Sequence, residues 1–341
     1  MACNASLSHR VPISLASLCN FSLSPLLRTK ITSFTSSLNF SFNPTIVRSR
    51  SLVAGSFSWD DVFRISQAED AVDDSLDFQR YFERISACNR GSEMQSEFLP
   101  FVIEGRIVGY IHNGFADHLR KFNDVFVFGE DNSYSSHCRG YVTLHPLLGS
   151  PEDRTGAVGD VIRCLGERLI PGIRNELYPV KSSFDMPVFF SLERAAAPYF
   201  GIKPHGITCK ENLLKECEEE AGIPRSISSG YVFLLSYLIR AVPVGAVSYM
   251  DIDGYRYKRD VLFCYDLKLP DGFIPKNQDG EVESFKLISV IHVANIIRRT
   301  QFFKANCALV IIDFLFRHGY ISPEDRDYLQ LLQSLRNGDC S

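Results

Sequence analysis

The first fifty-nine residues of this 341-residue chain contain no aspartate or glutamate, although acidic residues outnumber basic ones over the whole sequence. A stretch without acids, dense in Ser and Thr and carrying Arg10, Arg28, Lys30, Arg48 and Arg50, reads as a disordered organellar transit peptide over residues 1–55. Hydroxyl residues exceed arginines there and no amphipathic repeat is evident, so the chloroplast stroma is the expected destination and the mitochondrion the alternative. No CxxC pair occurs among the ten cysteines, which argues against a zinc ribbon or a dithiol redox motif and suits reduced thiols. No apolar run is long enough to cross a bilayer. The longest candidate, Ser229 to Arg240, has about ten apolar residues against the roughly 20 that a span requires. The net charge of −4 offers no basic field, so nucleic acid is not an expected partner.

What the sequence does contain is a concentration of acid. The segment Lys215 to Ile223, KECEEEAGI, places four carboxylates near the end of a predicted helix. Thr208 with Glu211 reads as its capping box, Gly222 as its C-terminal cap and Pro224 as its stop. Leu213, Leu214, Cys217 and Ala221 form an apolar stripe at helical spacing, so Cys217 fills a packing position and is not a nucleophile. Glu216, Glu219 and Glu220 recur three and four residues apart on another face. Negative charge at a helix C-terminus opposes the macrodipole by roughly 0.3–1 kcal/mol per group. A hard divalent cation, Mg²⁺ or Mn²⁺, would reverse that penalty, and Mg²⁺ commonly shares its coordination sphere with substrate phosphates.

These residues resemble the second half of the Nudix box, with Lys215 in its arginine slot, Glu216, Cys217 in a hydrophobic slot, Glu219, Glu220, Gly222 and Ile223. Ile207 stands where the box has its first glutamate, and Gly201 falls on the opening glycine. The stretches RYFERISACNRG, SSFDMPVFFSLERAAAPYFGI and FFKANCALVIIDFLFRHGYI extend the resemblance to plant organellar Nudix hydrolases, a group related to the Nudix half of fused thiamine pyrophosphokinases. The resemblance implies that Glu216, Glu219 and Glu220 hold Mg²⁺ or Mn²⁺, that Lys215 orients, and that Glu219 or Glu281 helps deprotonate water. Glu283 is an alternative to Glu281. The implied substrate is a small diphosphate, either a nucleoside diphosphate derivative or a thiamine diphosphate analogue.

The expected architecture is an α+β accessory domain over residues 60–200, followed by an incomplete α/β/α Nudix-like sandwich over residues 201–335. In the first part, helical periodicity covers Asp60 to Ala87, Gly156 to Leu169 and Ser191 to Tyr199. Strands cover Phe101 to Ile111 and Asp124 to Phe128, with turns at Glu104-Gly105 and Asn113-Gly114. His112, His118 and His145 read as structural residues. The resemblance implies substrate recognition or homodimer contacts for this domain. In the second part, Val244 to Ile252 and Tyr257 to Leu269 flank an Asp253-Gly254 turn, with helices at Ser289 to Arg299 and Ala305 to His318. The resemblance also implies several strands and a glycine loop ahead of the box. At about 3.3 Å per residue, the segment between Phe200 and Thr208 cannot supply them. A second reading follows, in which the chain is a catalytically weak binding or regulatory variant.

Overall fold

The computed structural model describes residues 59–338 apart from 67–73, 131–139, 184–185, 204–208, 226–240, 271, 281 and 283–284. The transit-peptide segment and the apolar run at 229–240 therefore lie outside the described residues, as do Glu281 and Glu283.

The first core is built on a four-stranded sheet. Strands β1 (Phe98–Ile103) and β2 (Arg106–His112) form a hairpin, β3 (Phe126–Gly129) and β4 (Tyr141–Leu144) pair antiparallel, and β1 joins β4 in parallel, giving the order β2-β1-β4-β3. The hairpin turns at Glu104-Gly105, as the sequence predicts, with both residues at positive φ (51° and 76°). A two-residue loop of that kind matches the strand twist. Asn113-Gly114 is different. It opens helix α3 (Asn113–Leu119), whose N-cap is His112 accepting the Gly114 amide through Nδ1. Helix α4 (Pro151–Leu169) carries a complete capping box between Ser150 and Asp153. A separate two-stranded sheet, β5 (Leu177–Val180) with β6 (Phe190–Glu193), leads into a 3₁₀ turn over Arg194–Phe200. Thus the predicted helix over Ser191 to Tyr199 is a strand followed by a 3₁₀ turn. Pairing with β5 outweighs the local helical spacing. Phe101, Phe115, Phe126, Phe190 and Phe200 are fully buried in this core.

After α5 (Cys209–Ala221) comes a long ribbon, β7 (Val242–Asp253) with β8 (Arg256–Asp266). Its loop is Gly254-Tyr255, one residue later than the sequence suggests, because Asp253 pairs with Arg256 and Gly254 takes the first, left-handed position (φ 58°). Helices α6 (Val290–Arg299), α7 (Ala305–Arg317) and α8 (Tyr328–Ser334) follow. Two earlier helices, α1 (Trp59–Ser66) and α2 (Asp74–Ser86), pack into this second core: Val62, Tyr81 and Ile85 share it with Val247, Leu262, Ile296 and Leu315.

The two cores meet where Phe98, Met250, Ile252 and Tyr257 pack together, and Arg259 stacks over Tyr110 at 4.7 Å. The outer edge of β7 is also bonded to neighbouring backbone, Ile252 N–H to the Arg90 carbonyl (2.9 Å) and Ser248 N–H to the Leu335 carbonyl (3.0 Å). Among the described residues, β7 and β8 pair only with each other as strands. The α+β character expected from the sequence is present, but the described residues do not assemble a layered α/β/α sandwich. Among the described residues, no helix is long and apolar enough to cross a membrane.

Buried ions hold the base of the second core. Asp313, only 1% exposed, accepts Arg317 Nε at 2.7 Å and Arg336 Nη2 at 3.2 Å, while Arg317 Nη1 reaches Asp266 at 2.7 Å. Removing the central anion leaves two guanidiniums without it, and breaking a buried pair from one side costs about 3–5 kcal/mol. Asp313→Ala is therefore expected to lower unfolding stability in urea by about that amount. A loss below roughly 1 kcal/mol, the range of exposed pairs, would show that solvent replaces Asp313.

Candidate functional site

Helix α5 forms where the acidic motif predicts, and its C-terminal end is built by two elements. Gly222 is left-handed (φ 61°), its N–H returning to the Glu218 carbonyl at 3.0 Å, while the Ile223 N–H reaches the Cys217 carbonyl at 2.9 Å. A Cβ on Gly222 would come within 2.9 Å of Gln278 Nε2 and 3.0 Å of the Lys276 carbonyl oxygen. The loop at 276–278 lies that close because it caps the helix: Lys276 N–H bonds the Ala221 carbonyl at 3.0 Å and Gln278 N–H the Glu219 carbonyl at 3.2 Å. Carbonyls that a helix end would leave open are thus satisfied from outside.

Three residues of the apolar stripe pack as its spacing predicts, while Leu214 is half-buried and stays outside that cluster. Leu213, Cys217, Ala221 and Ile223 are buried with Ala241 and Leu267 in a small core that includes the partly buried Phe273 and Phe285. Cys217 is fully buried, as a packing residue should be. This core sits at the open end of the ribbon, where Val242 faces Asp266.

The carboxylates are distributed unequally around α5. Glu220 is buried (3% exposed), Glu216 is half-buried, and Glu219 is exposed beside Lys215, whose Nζ is 3.5 Å from Glu219 Oε2. Glu218, outside the motif's required positions, pairs with Arg225 at 3.0 Å. Glu216 and Glu220, four residues apart, share a helix face. The donors are all hard oxygens, and burying a carboxylate at the negative end of a helix is costly unless positive charge or hydrogen bonds offset it. In donor chemistry and charge the helix fits Mg²⁺ or Mn²⁺. The three carboxylates are not brought together: among the described residues, no group of three His, Cys, Asp or Glu side chains could hold a metal ion. Glu281 lies outside the described residues.

Gly201, which falls on the opening glycine of the box, has a structural role among the described residues. It is the left-handed cap of the 3₁₀ turn, packed so tightly that a Cβ would lie 2.5 Å from the Tyr110 carbonyl oxygen. His112 accepts the Gly114 amide at one ring nitrogen and meets Glu97 at 3.0 Å with the other, and His145 Nδ1 accepts the Leu147 amide, so both serve the structural roles expected.

The sequence reading did not find a polar cluster between the two cores, where Tyr249 hydroxyl donates to Asp260 beside Lys304. Tyr249 and Asp260 are cross-strand partners, so the only sequence signal was the register of the ribbon. None of the acidic residues of α5 lines this cleft.

A family described as "Domain of unknown function (DUF4743)" matches residues 80–204, which includes nearly all of the first core. The chain is 54% identical over 332 aligned residues to Nudix hydrolase 20, chloroplastic, of Arabidopsis thaliana, covering 85% of each chain. It is 51% identical over 329 to Nudix hydrolase 24, chloroplastic, of the same plant, covering 84% of this chain and 86% of the relative. An uncharacterized protein of Saccharomyces cerevisiae is 42% identical over 141 residues, 38% of each chain. Both longer alignments span more positions than the share of this chain they cover, so they are interrupted by residues that one chain carries and the other lacks. Identity above one half across most of both chains, together with the acidic helix where its motif requires it, establishes that this chain belongs to the Nudix hydrolases.

Proposed function

We propose that this hydrolase is metal-dependent and cleaves a diphosphate linkage in a nucleoside diphosphate derivative or a thiamine diphosphate analogue. The observation that carries the reading is α5, which sets Glu216, Glu219 and Glu220 near a capped helix end in a chain of this family. These residues would hold Mg²⁺ or Mn²⁺, with Glu281 as a further carboxylate. The cation, when bound, supplies Lewis acidity and offsets the charge of phosphate oxygens. Lys215, a flexible point charge, orients Glu219 through their contact. Glu281 or Glu219 takes a proton from the attacking water. The water oxygen bonds to phosphorus, the bridging P–O bond breaks, and the products are a monophosphate and phosphate or a second phosphorylated fragment.

The test is phosphate release by the chain lacking residues 1–58, across a panel of diphosphates with Mg²⁺, Mn²⁺ or a chelator. Turnover that requires metal supports the hydrolase reading. Silence on every substrate, beside an active preparation of Nudix hydrolase 20, favours the second reading, a weak binding or regulatory variant. That alternative draws support from the ribbon, which has two strands among the described residues.

The absence of acids before Asp60 and the "chloroplastic" names of both plant relatives support delivery to the chloroplast stroma. A fluorescent fusion carrying residues 1–60 is expected in chloroplasts. Signal confined to the cytosol would refute the targeting role, and mitochondrial signal would select the alternative organelle.

A further inference from the structure

The last turn of α5 is completed by a distant part of the chain. The amides of Gly222 and Ile223 satisfy the Glu218 and Cys217 carbonyls, whereas the Ala221 and Glu219 carbonyls accept the amides of Lys276 and Gln278. A helix leaves its last carbonyls without intrahelical partners, so this second pair depends on where the loop at 276–278 lies. Glu219 and Glu220 both sit on the turn that the loop holds. Fraying there would displace both carboxylates.

The loop is shaped from within by one side chain. Asn277 Oδ1 accepts the Gly280 N–H at 2.8 Å, and Asn277 Nδ2 donates to the Val282 carbonyl. Asparagine suits this place because its amide can bond nearby backbone in a turn, and Gly280 supplies the positive φ (86°) that the turn needs. Gln278 adds a bond from Nε2 to the Lys276 carbonyl at 3.3 Å. On either side of the loop, Phe273 and Phe285 pack partly buried against the core that contains Leu213, Cys217 and Ala221 of α5. Both ends of the loop are thus anchored where the helix packs, and its middle is bonded to the helix end. Asn277 lies between the two residues whose amides reach α5, yet it is exposed, and its described side-chain hydrogen bonds go only to the loop. Any influence it has on the helix passes through the loop.

We propose that Asn277 is a positioning residue for the metal-binding carboxylates of α5. The inference rests on the metal-dependent reading given above. Asn277 fixes the course of the loop, the loop's amides hold the last turn of α5, and that turn sets the direction in which Glu219 and Glu220 leave the helix. Partners one step removed from a metal ligand commonly govern metal affinity by about ten- to a hundredfold, because a ligand that is ordered only on binding costs part of the binding free energy. An asparagine that merely shaped a surface loop would leave the cation's affinity unchanged.

Mn²⁺ binding to the full chain, followed by the electron paramagnetic resonance of the free ion, tests this without turnover. Asn277→Ala is expected to weaken Mn²⁺ binding by about tenfold or more and to speed hydrogen exchange at the Lys276 and Gln278 amides, with the circular dichroism spectrum unchanged. Lys121→Gln, on the first core, should leave binding within about twofold, as a distant change should. In a Glu219→Gln background the ligand that the loop positions is already gone, so adding Asn277→Ala is expected to cost no more than about threefold, because two changes that act through one ligand are not additive. Asn277→Ser leaves a hydroxyl that holds the Gly280 amide more weakly; it should give a smaller loss of affinity, and it carries the comparison if the alanine variant does not fold. Unchanged Mn²⁺ affinity in the Asn277 variants, or an equal loss with and without the Glu219 carboxylate, overturns the assignment and leaves the metal-dependent reading standing. A parent chain that binds no Mn²⁺ removes that reading, and this inference with it.

Discussion

Replacing Glu219 with Gln is expected to reduce metal-dependent phosphate release by about two to three orders of magnitude while leaving the fold nearly as stable as before. The two effects separate because of where the side chain sits. Glu219 is on the exposed side of α5, and its one described side-chain contact is the 3.5 Å pair with Lys215. An exposed i,i+4 pair contributes only about 0.3–0.5 kcal/mol. The substitution also removes one negative charge from the end of a helix whose dipole disfavours it, which offsets part of that loss. Packing is hardly involved, since Gln keeps the volume and the apolar stripe lies on another face. If the carboxylate is a ligand or a base, its loss acts on the transition state, and each factor of ten corresponds to about 1.4 kcal/mol. Steady-state turnover at saturating Mg²⁺ and Mn²⁺, with urea unfolding of the same preparation, checks both. Unchanged turnover together with higher stability in metal-free buffer would mean that the carboxylates are a repelling surface cluster, and the metal assignment would be wrong.

What could be read from the sequence was local, and what could not was set by distant contacts. Helix α5 carries its stop at Gly222 and its apolar stripe in its own residues, while the side chains of its expected Thr208–Glu211 capping box fall outside the described residues, and the Glu104-Gly105 hairpin carries its own turn. By contrast, His112 caps α3 although histidine is not among the usual N-cap residues, and β6 is a strand only because β5 lies beside it. The packing of α1 and α2 against the far end of the chain leaves no mark on their own sequences beyond an apolar face. Arg90 meets Asp251 across 161 residues, and no spacing rule reaches that far. The cleft between the cores was invisible for the same reason. In the candidate site, the order of the carboxylates was legible, but their unequal burial was not. Glu220 is buried and Glu219 exposed, a difference set by what packs around α5 and not by the spacing of its own residues.

The chain as it stands is expected to turn over diphosphates at least tenfold more slowly than Nudix hydrolase 20 and to unfold at lower urea. The reason lies ahead of the box. The resemblance implies several strands and a glycine loop there, whereas the described chain passes from the 3₁₀ turn at Arg194–Phe200 through Ile202 and Lys203 to α5 at Cys209 within a few residues. Among the described residues β5 and β6 pair only with each other, so neither adds a strand to the ribbon, and β8 has no strand partner other than β7. An open edge on a half-apolar ribbon would invite association, and a sheet short of those strands would leave the acidic helix facing a pocket without the backbone expected to bind phosphate. The interruptions in both plant alignments are consistent with such a difference in length. The 229–240 run is apolar enough to cover part of the exposed surface, since burying one large apolar side chain is worth roughly 1.5–3 kcal/mol. Apolar cover does not supply amides aimed at a phosphate, so stability is expected to recover further than turnover. Side-by-side kinetics, urea unfolding and size-exclusion chromatography of the two proteins make the comparison. If this chain is monomeric, unfolds cooperatively and matches the relative's turnover, the pocket is complete without the missing strands and the expectation fails.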